Sequence, residues 1–262
     1  MGVIVTQSFD LAVSPAALDP LHKFDTKVWS FARMSAVLVP GAPTVTPENV
    51  EVAMPTLSTD VQIYSAAGAE KYALSFGPGK TTTGSSKGKK GEMGLCTALS
   101  HLADCPGLLA AAYECGEVAV WSCAEKKTVA RIALSTEANS VLKIETSKTA
   151  TGRHRLYAGI YGCEVFVMDF SHGSEGKLEL VTTISDTRSA AKPGISDIKV
   201  RADGKLVFTA GYDFRVKCYD TKSFKFLAVL KYHTKNVNSI CLIGNRVVVG
   251  ANDECITEWE LY

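Results

Sequence analysis

The chain has 262 residues, a formal net charge of +1, 46% hydrophobic residues and 21% charged residues. That balance is ordinary for a globular protein long enough to form one large β domain. A near-zero charge argues against nucleic acid as a direct partner, because neutralising phosphates takes a dense basic face. No apolar run approaches the ~18 residues needed to span a bilayer, and MGVIVTQSFDLAV lacks the basic stretch of a secretion signal, so no membrane association is expected.

In chain order, residues 1–27 form an N-terminal segment in which MGVIVTQSF (1–9) is strand-like. Residues 28–93 hold a degenerate unit: VWSFARMSAVLV, VEVAM, DVQIYSA and KYALSFG, interrupted by the Pro-rich PGAPTVTP. The unit closes on a Lys/Gly-rich loop, GPGKTTTGSSKGKKG (77–91). This is no phosphate loop, because the glycine that pattern needs five residues before Gly79 is Leu74. A flexible surface loop fits the composition, with nuclear import as the other reading of its lysines.

From residue 94 one pattern repeats. A strand (GLCTALSHL, SVLKIET, GISDIKVR, NVNSICLI) precedes a second (LLAAAY, RLYAGIY, LVFTAGY, RVVVGAN). A tight turn then leads to a third (EVAVWSC, EVFVMDF, RVKCYDT, CITEWEL). Fourth strands read KTVARIAL, KLELVTTI and FKFLAVLK. The third strands end on degenerate Trp-Asp pairs, Trp121-Ser122, Met168-Asp169, Tyr219-Asp220 and Trp259-Glu260, at intervals of 47 (121 to 168), 51 (168 to 219) and 40 (219 to 259). Val, Ile, Thr and aromatics bounded by turn residues predict strands, and no helical period is sustained. Four-stranded units of ~40–45 residues predict an all-β propeller of WD-repeat type with about five visible blades. The last unit lacks a fourth strand, so residues 1–9 are the candidate closing strand of an incomplete or open ring.

Asp213 and Asp253 each lie six residues before the third-strand aromatic (Tyr219, Trp259), and His233 precedes the first strand of the last unit. An Asp at that offset is placed to pin its turn and to accept from such a His. His233, Asp213, Asp253, Trp121, Tyr219 and Trp259 therefore make a structural network, with catalysis as the alternative for His233. Cys115 and Gly162 occupy the Asp position upstream, so those turns should be less firmly pinned. His101 reads as a packing residue, and His154 and His172 as solvated loop residues. The eight cysteines (96, 105, 115, 123, 163, 218, 241, 255) have no C-x-x-C spacing and no His in metal register. They read as reduced apolar thiols of the cytosol or nucleus. No catalytic constellation or cofactor motif emerges, so neither an enzyme activity nor a small-molecule substrate is expected. Exposed aromatic and charged turn residues are the candidate partner-binding set: Tyr161, Tyr212, Phe214 and Arg215, with Glu114 in the matching upstream turn.

The segments PGI (193–195), RADGK (201–205), TAGYDFRV (209–216) and LAVLKYH (227–233) carry a resemblance, with terminal Trp259 and Leu261-Tyr262 and, upstream, GLLAAAYECGEVAVW (107–121) and DVQIY (60–64). The chain is similar there to the WD-repeat family of ASTRA-associated protein 1 and guanine nucleotide-binding protein beta-subunit-like protein 1. The resemblance covers residues 50–262 and is densest in the last 70. It implies a seven-bladed propeller of which this chain matches the last five blades. It also implies a non-enzymatic scaffold of the ASTRA assembly, or of the co-chaperone machinery for phosphatidylinositol-3-kinase-like kinases, with links to chromatin regulation. Its partners would be other proteins of a multisubunit complex, in the nucleus, the cytoplasm or both. A G-protein β-like signalling adaptor or a generic WD-repeat adaptor are the alternatives. The first lacks support from residues 1–27, which show no heptads for a γ partner.

Overall fold

Turn residues cut this chain into short apolar runs, and the computed structural model folds them into antiparallel sheets. The structure describes residues 3–6, 22–25, 34–39, 46–56, 59–75, 93–102, 104–134, 140–149, 151–172, 176–185 and 194–261. The Lys-rich loop 77–91, Pro193 and Tyr262 lie outside them.

Strands β1 (Val3–Thr6) and β2 (His22–Asp25) pair only with each other in a two-stranded sheet. The first blade contains β3 (Ser35–Leu38), β4 (Val50–Pro55), β5 (Val61–Ser65) and β6 (Glu70–Leu74), with a 3-10 turn at Pro47–Asn49 before β4. The second contains β7 (Cys96–Leu102), β8 (Cys105–Tyr113), β9 (Glu117–Ser122) and β10 (Lys127–Ala133). The third contains β11 (Val141–Lys148), β12 (His154–Ile160), β13 (Glu164–Ser171) and β14 (Lys177–Ser185). The fourth contains β15 (Ile195–Val200), β16 (Leu206–Gly211), β17 (Arg215–Asp220) and β18 (Phe226–Lys231). The fifth sheet has three strands among the described residues, β19 (Val237–Ile243), β20 (Arg246–Ala251) and β21 (Ile256–Glu260). Of the expected closing strand, residues 1–9, the structure describes Val3–Thr6, which pairs along one edge with His22–Asp25 and, among the described residues, with no strand of the fifth sheet; the rest of 1–9 lies outside the described residues.

Alternation explains how the blades cohere. Successive side chains of a strand point to opposite faces, and here both faces are covered. Leu109, Ala111, Ala119 and Trp121 join Ile63 and Leu74 in the seam with the first blade. Their neighbours Ala110, Ala112, Val118 and Val120 join Ile144, Leu156 and Phe166 in the seam with the third. The same rule divides Val207, in the seam with the third blade, from Phe208, in the seam with the fifth. Strand β9 is buried along its whole length, which strict apolar–polar alternation would not produce. Each large side chain buried in these seams contributes about 2 kcal/mol.

One glycine shows how tight a seam is. A Cβ on Gly159 of β12 would lie 2.5 Å from Cγ2 of Ile195 in the next blade. The backbones can approach this closely only because position 159 has no side chain.

Candidate protein-interaction face

The turns between second and third strands are built alike. The amides of Glu114, Tyr161, Tyr212 and Asn252 donate to the carbonyls of Leu95, Ser140, Gly194 and Asn236, at 2.9–3.0 Å. Each ties its turn to the start of the same blade's first strand, so the four turns occupy equivalent places at one end of the stack. The candidate partner residues lie on this common face.

The fifth blade shows the fullest polar network. His233 Nδ1 lies 3.1 Å from both carboxylate oxygens of Asp253, and its Nε2 lies 3.1 Å from Thr257 Oγ1. Trp259 Nε1 donates to the same hydroxyl at 3.1 Å. Asp253 also accepts the amides of Thr234 and Cys255. These bonds, the Thr234 amide foremost, hold its carboxyl below the usual carboxylate range. The His233 side chain is 4% exposed, so the network closes on itself.

The fourth blade has no such histidine among its described residues, and Asp213 is pinned differently. Lys217, four residues on, places Nζ 2.8 Å from Asp213 Oδ2, and both side chains are almost buried. Lys217 stands two residues before Tyr219, as Thr257 stands two before Trp259. In the third blade Met168 is fully buried, while Asp169 accepts a bidentate pair from Arg155 at 2.6 and 3.0 Å. In the second blade Trp121 donates to the Tyr113 hydroxyl at 3.3 Å, and Arg131 pairs with Glu117 at 2.6 Å. The turn at Cys115 is also held, because the Glu114 carboxylate accepts the Leu95 amide at 2.9 Å. Glu114 therefore clamps its own blade.

Of the other candidates, Tyr161 is 57% exposed. The Tyr212 ring lies against Gly194, where an added Cβ would come within 2.3 Å of it. Phe214 and Arg215 are half-buried. Phe214 has φ 69°, and the following-residue positions of the second and fifth turns, Gly116 and Glu254, are also left-handed. The turn imposes this geometry, and a phenylalanine there carries a strain of about 1 kcal/mol. A shallow cleft between the third and fourth blades, lined by Gly162, Cys163, Gly194, Thr209, Asp213 and Arg215, opens beside these residues.

Sequence reasoning missed the charges along the innermost strands. Asp197 of β15 is fully buried. Its carboxylate accepts the amides of Ile198 at 3.0 Å and of Ile240, in the fifth blade, at 2.9 Å. Lys143 of β11 reaches it from the third blade at 3.3 Å. Glu145 beside it pairs with Lys199 at 3.1 Å, and burial raises its pKa against the pull of Lys199 and Lys143. One signal was available: Asp197 interrupts the apolar run of GISDIKV at an inward position. Of the histidines, His101 packs as expected and His154, expected to be solvated, is half-buried. His101 bonds to Ser35 in the first blade, Nδ1 to Oγ 2.9 Å. His154 opens β12 with its ring against Phe170, centroids 6.5 Å apart, because the strand starts earlier than its polar flank indicates.

No protein-family model matches the chain. It is 29% identical over 164 residues to the mouse (Mus musculus) guanine nucleotide-binding protein subunit beta-like protein 1, covering 59% of this chain and 44% of that protein. It is 34% identical over 82 residues to ASTRA-associated protein 1 of Schizosaccharomyces japonicus, covering 30% and 22% of the two chains. With the Schizosaccharomyces pombe protein of that name the values are 37% over 71 residues, 26% and 19%. The chain thus matches less than half the length of these relatives. Among solved structures it is similar to the β-propeller domain of Myceliophteria thermophila Cps50 (Swd1), with a TM-score of 0.60 and 16% identity over 80% of this chain and 61% of that one. This last likeness shows the fold alone. Sequence relatives and fold agree with each other: the chain has a WD-repeat β-propeller fold and is similar in sequence to ASTRA-associated protein 1 and to guanine nucleotide-binding protein subunit beta-like protein 1.

Proposed function

We propose that the chain is a non-enzymatic scaffold in an ASTRA-type multisubunit assembly, presenting the turn face described above to its protein partners. The observation that carries the reading is the set of matches to proteins named for association with ASTRA, on a fold that displays equivalent turns at one end of rigid sheets. The resemblance extends the proposal to co-chaperone work on phosphatidylinositol-3-kinase-like kinases, in the nucleus or cytoplasm, and so to chromatin regulation. Tyr161, Tyr212, Phe214 and Arg215 are the proposed contact residues. The polar groups of the fifth-blade histidine are all engaged within the blade, which supports a structural role for it over a catalytic one.

The test is affinity purification of the tagged full chain with identification of what it recovers, repeated with Tyr212→Ala and Arg215→Ala. Recovery of kinase co-chaperone subunits, reduced in the variants while folding is intact, is the expected result. Recovery of none of them by the unmodified chain overturns it.

A further inference from the structure

The charge pattern of the fourth blade points to the chemistry of a partner; this deepens the scaffold reading and rests on it. The first residue of the third strand lies four positions before the Trp121-type residue. In the second blade it is Glu117, paired with Arg131. In the third it is Glu164, opposite Ser185. In the fourth the sign reverses: Arg215 stands directly opposite Lys231 in the β17–β18 ladder. Like charges opposite each other destabilise an antiparallel pair, yet among the described residues neither cation has a carboxylate within the 4.0 Å of an ion pair. The nearby acids are otherwise placed. Asp213 is paired with Lys217 and Asp253 with His233. Glu164 sits on the third blade, and Glu254 is exposed on the turn of the fifth. Exposed aromatic residues flank the two cations in the chain and at the cleft: Tyr232, 62% exposed with its ring edge-on to His233, follows Lys231, and Tyr161, 57% exposed, precedes Gly162, which lines the same cleft as Arg215.

We propose that this end of the fourth blade, with Arg215 and Lys231 as its charges and Tyr161 and Tyr232 as its apolar contacts, docks an acidic, Asp/Glu-bearing segment of a partner protein. An arriving carboxylate neutralises a repulsion that the free blade carries, and it can accept from the forked donors of Arg215. Two cations on a chain of net charge +1 suit a short acidic peptide. A polyanion would need a longer basic track than this face has. Tyrosines are suited to the rim, being apolar in the body and polar at the tip.

The experiment is fluorescence polarisation of the full chain with a labelled peptide of Asp and Glu interspersed with Leu. The comparisons are the same peptide with Asn and Gln replacing the acids, and a neutral peptide carrying phosphoserine. The expected result is binding of the acidic peptide at least about tenfold tighter than either control, weakening with salt. The R215E/K231E double variant should lose about tenfold or more in affinity while melting close to the unmodified chain, since it exchanges one like-charge cross-strand pair for another. Equal binding of the amide peptide, tighter binding of the phosphopeptide, or unchanged affinity in the double variant each overturns the proposal. A chain that binds the acidic peptide as described but recovers no assembly subunits overturns the scaffold reading and leaves this one standing.

Discussion

The carboxylate of Asp197, fully buried in the fourth blade, accepts the backbone amide of Ile240 in the fifth at 2.9 Å while Lys143 of the third stands 3.3 Å away. One side chain thus joins three blades. Asp197→Ala leaves a buried ammonium and a buried amide without this acceptor, and the expected loss is about 3–5 kcal/mol. Asp197→Asn keeps an acceptor for Ile240 and should cost less, and adding Lys143→Met to it should recover stability. Urea unfolding measures all three. An alanine variant within about 0.5 kcal/mol of the parent would sink the argument.

In the fifth blade, His233→Ala removes the link between Asp253 and Thr257. The expected cost is about 1–3 kcal/mol, that of leaving buried polar groups unsatisfied. Trp259, whose indole donates to the same Thr257 hydroxyl, should report the loosening as a red-shifted fluorescence. A catalytic histidine would leave both the melting point and the emission unchanged.

Acid should loosen the first blade from the second. His101 is buried against Ser35, and burial lowers its pKa from 6.5 to about 4. The folded state holds the ring neutral, and the unfolded chain protonates first. The stabilisation is therefore complete above about pH 6.5 and is lost as pH falls toward 4, by at most about 3 kcal/mol. His101→Gln should flatten stability against pH across that window. An unchanged slope in the variant would assign the acid sensitivity elsewhere.

At the seam of the third and fourth blades, Gly159→Ala drives a methyl group to 2.5 Å from Ile195. The cost should be about 1–3 kcal/mol. In the Ile195→Gly background, which removes both Cγ2 and the Cβ that would lie 2.7 Å away, the same change should cost much less, so a double-mutant cycle should show coupling. Additive costs would mean that the seam relaxes elsewhere.

The strands were legible because each is a short apolar run punctuated by a turn. The third strands ending at Trp121, Met168, Tyr219 and Trp259 fall within a residue or two of their expected limits, and so do most others. Contacts across seams were not legible. Nothing local to Lys143 announces that it meets Asp197, 54 residues away (143 to 197), because the pairing depends on how sheets stack. For the same reason Glu114 reads as an exposed turn acid, although its carboxylate closes on Leu95 within the blade. The pairing of Asp213 with Lys217 is intermediate: the Asp was marked by its offset from Tyr219, and its cation only by standing where the next repeat has Thr257.

The two-faced strands have a consequence for how the molecule comes apart and how it can change. Because Ala110 belongs to one seam and Ala111 to the next, each blade senses only its two neighbours, and stability adds along the row as in a linear array. Amide exchange should then be graded. It should be slowest in the second, third and fourth blades, each enclosed on both sides, and fastest in the fifth, where Ile256 is 78% and Ile243 61% exposed. A substitution confined to one seam is felt there and stops, Asp197 with partners in both neighbouring blades being the exception, which leaves each blade free to fasten its own strands with a different chemistry: indole to phenol, guanidinium to carboxylate, ammonium to carboxylate, or imidazole to carboxylate.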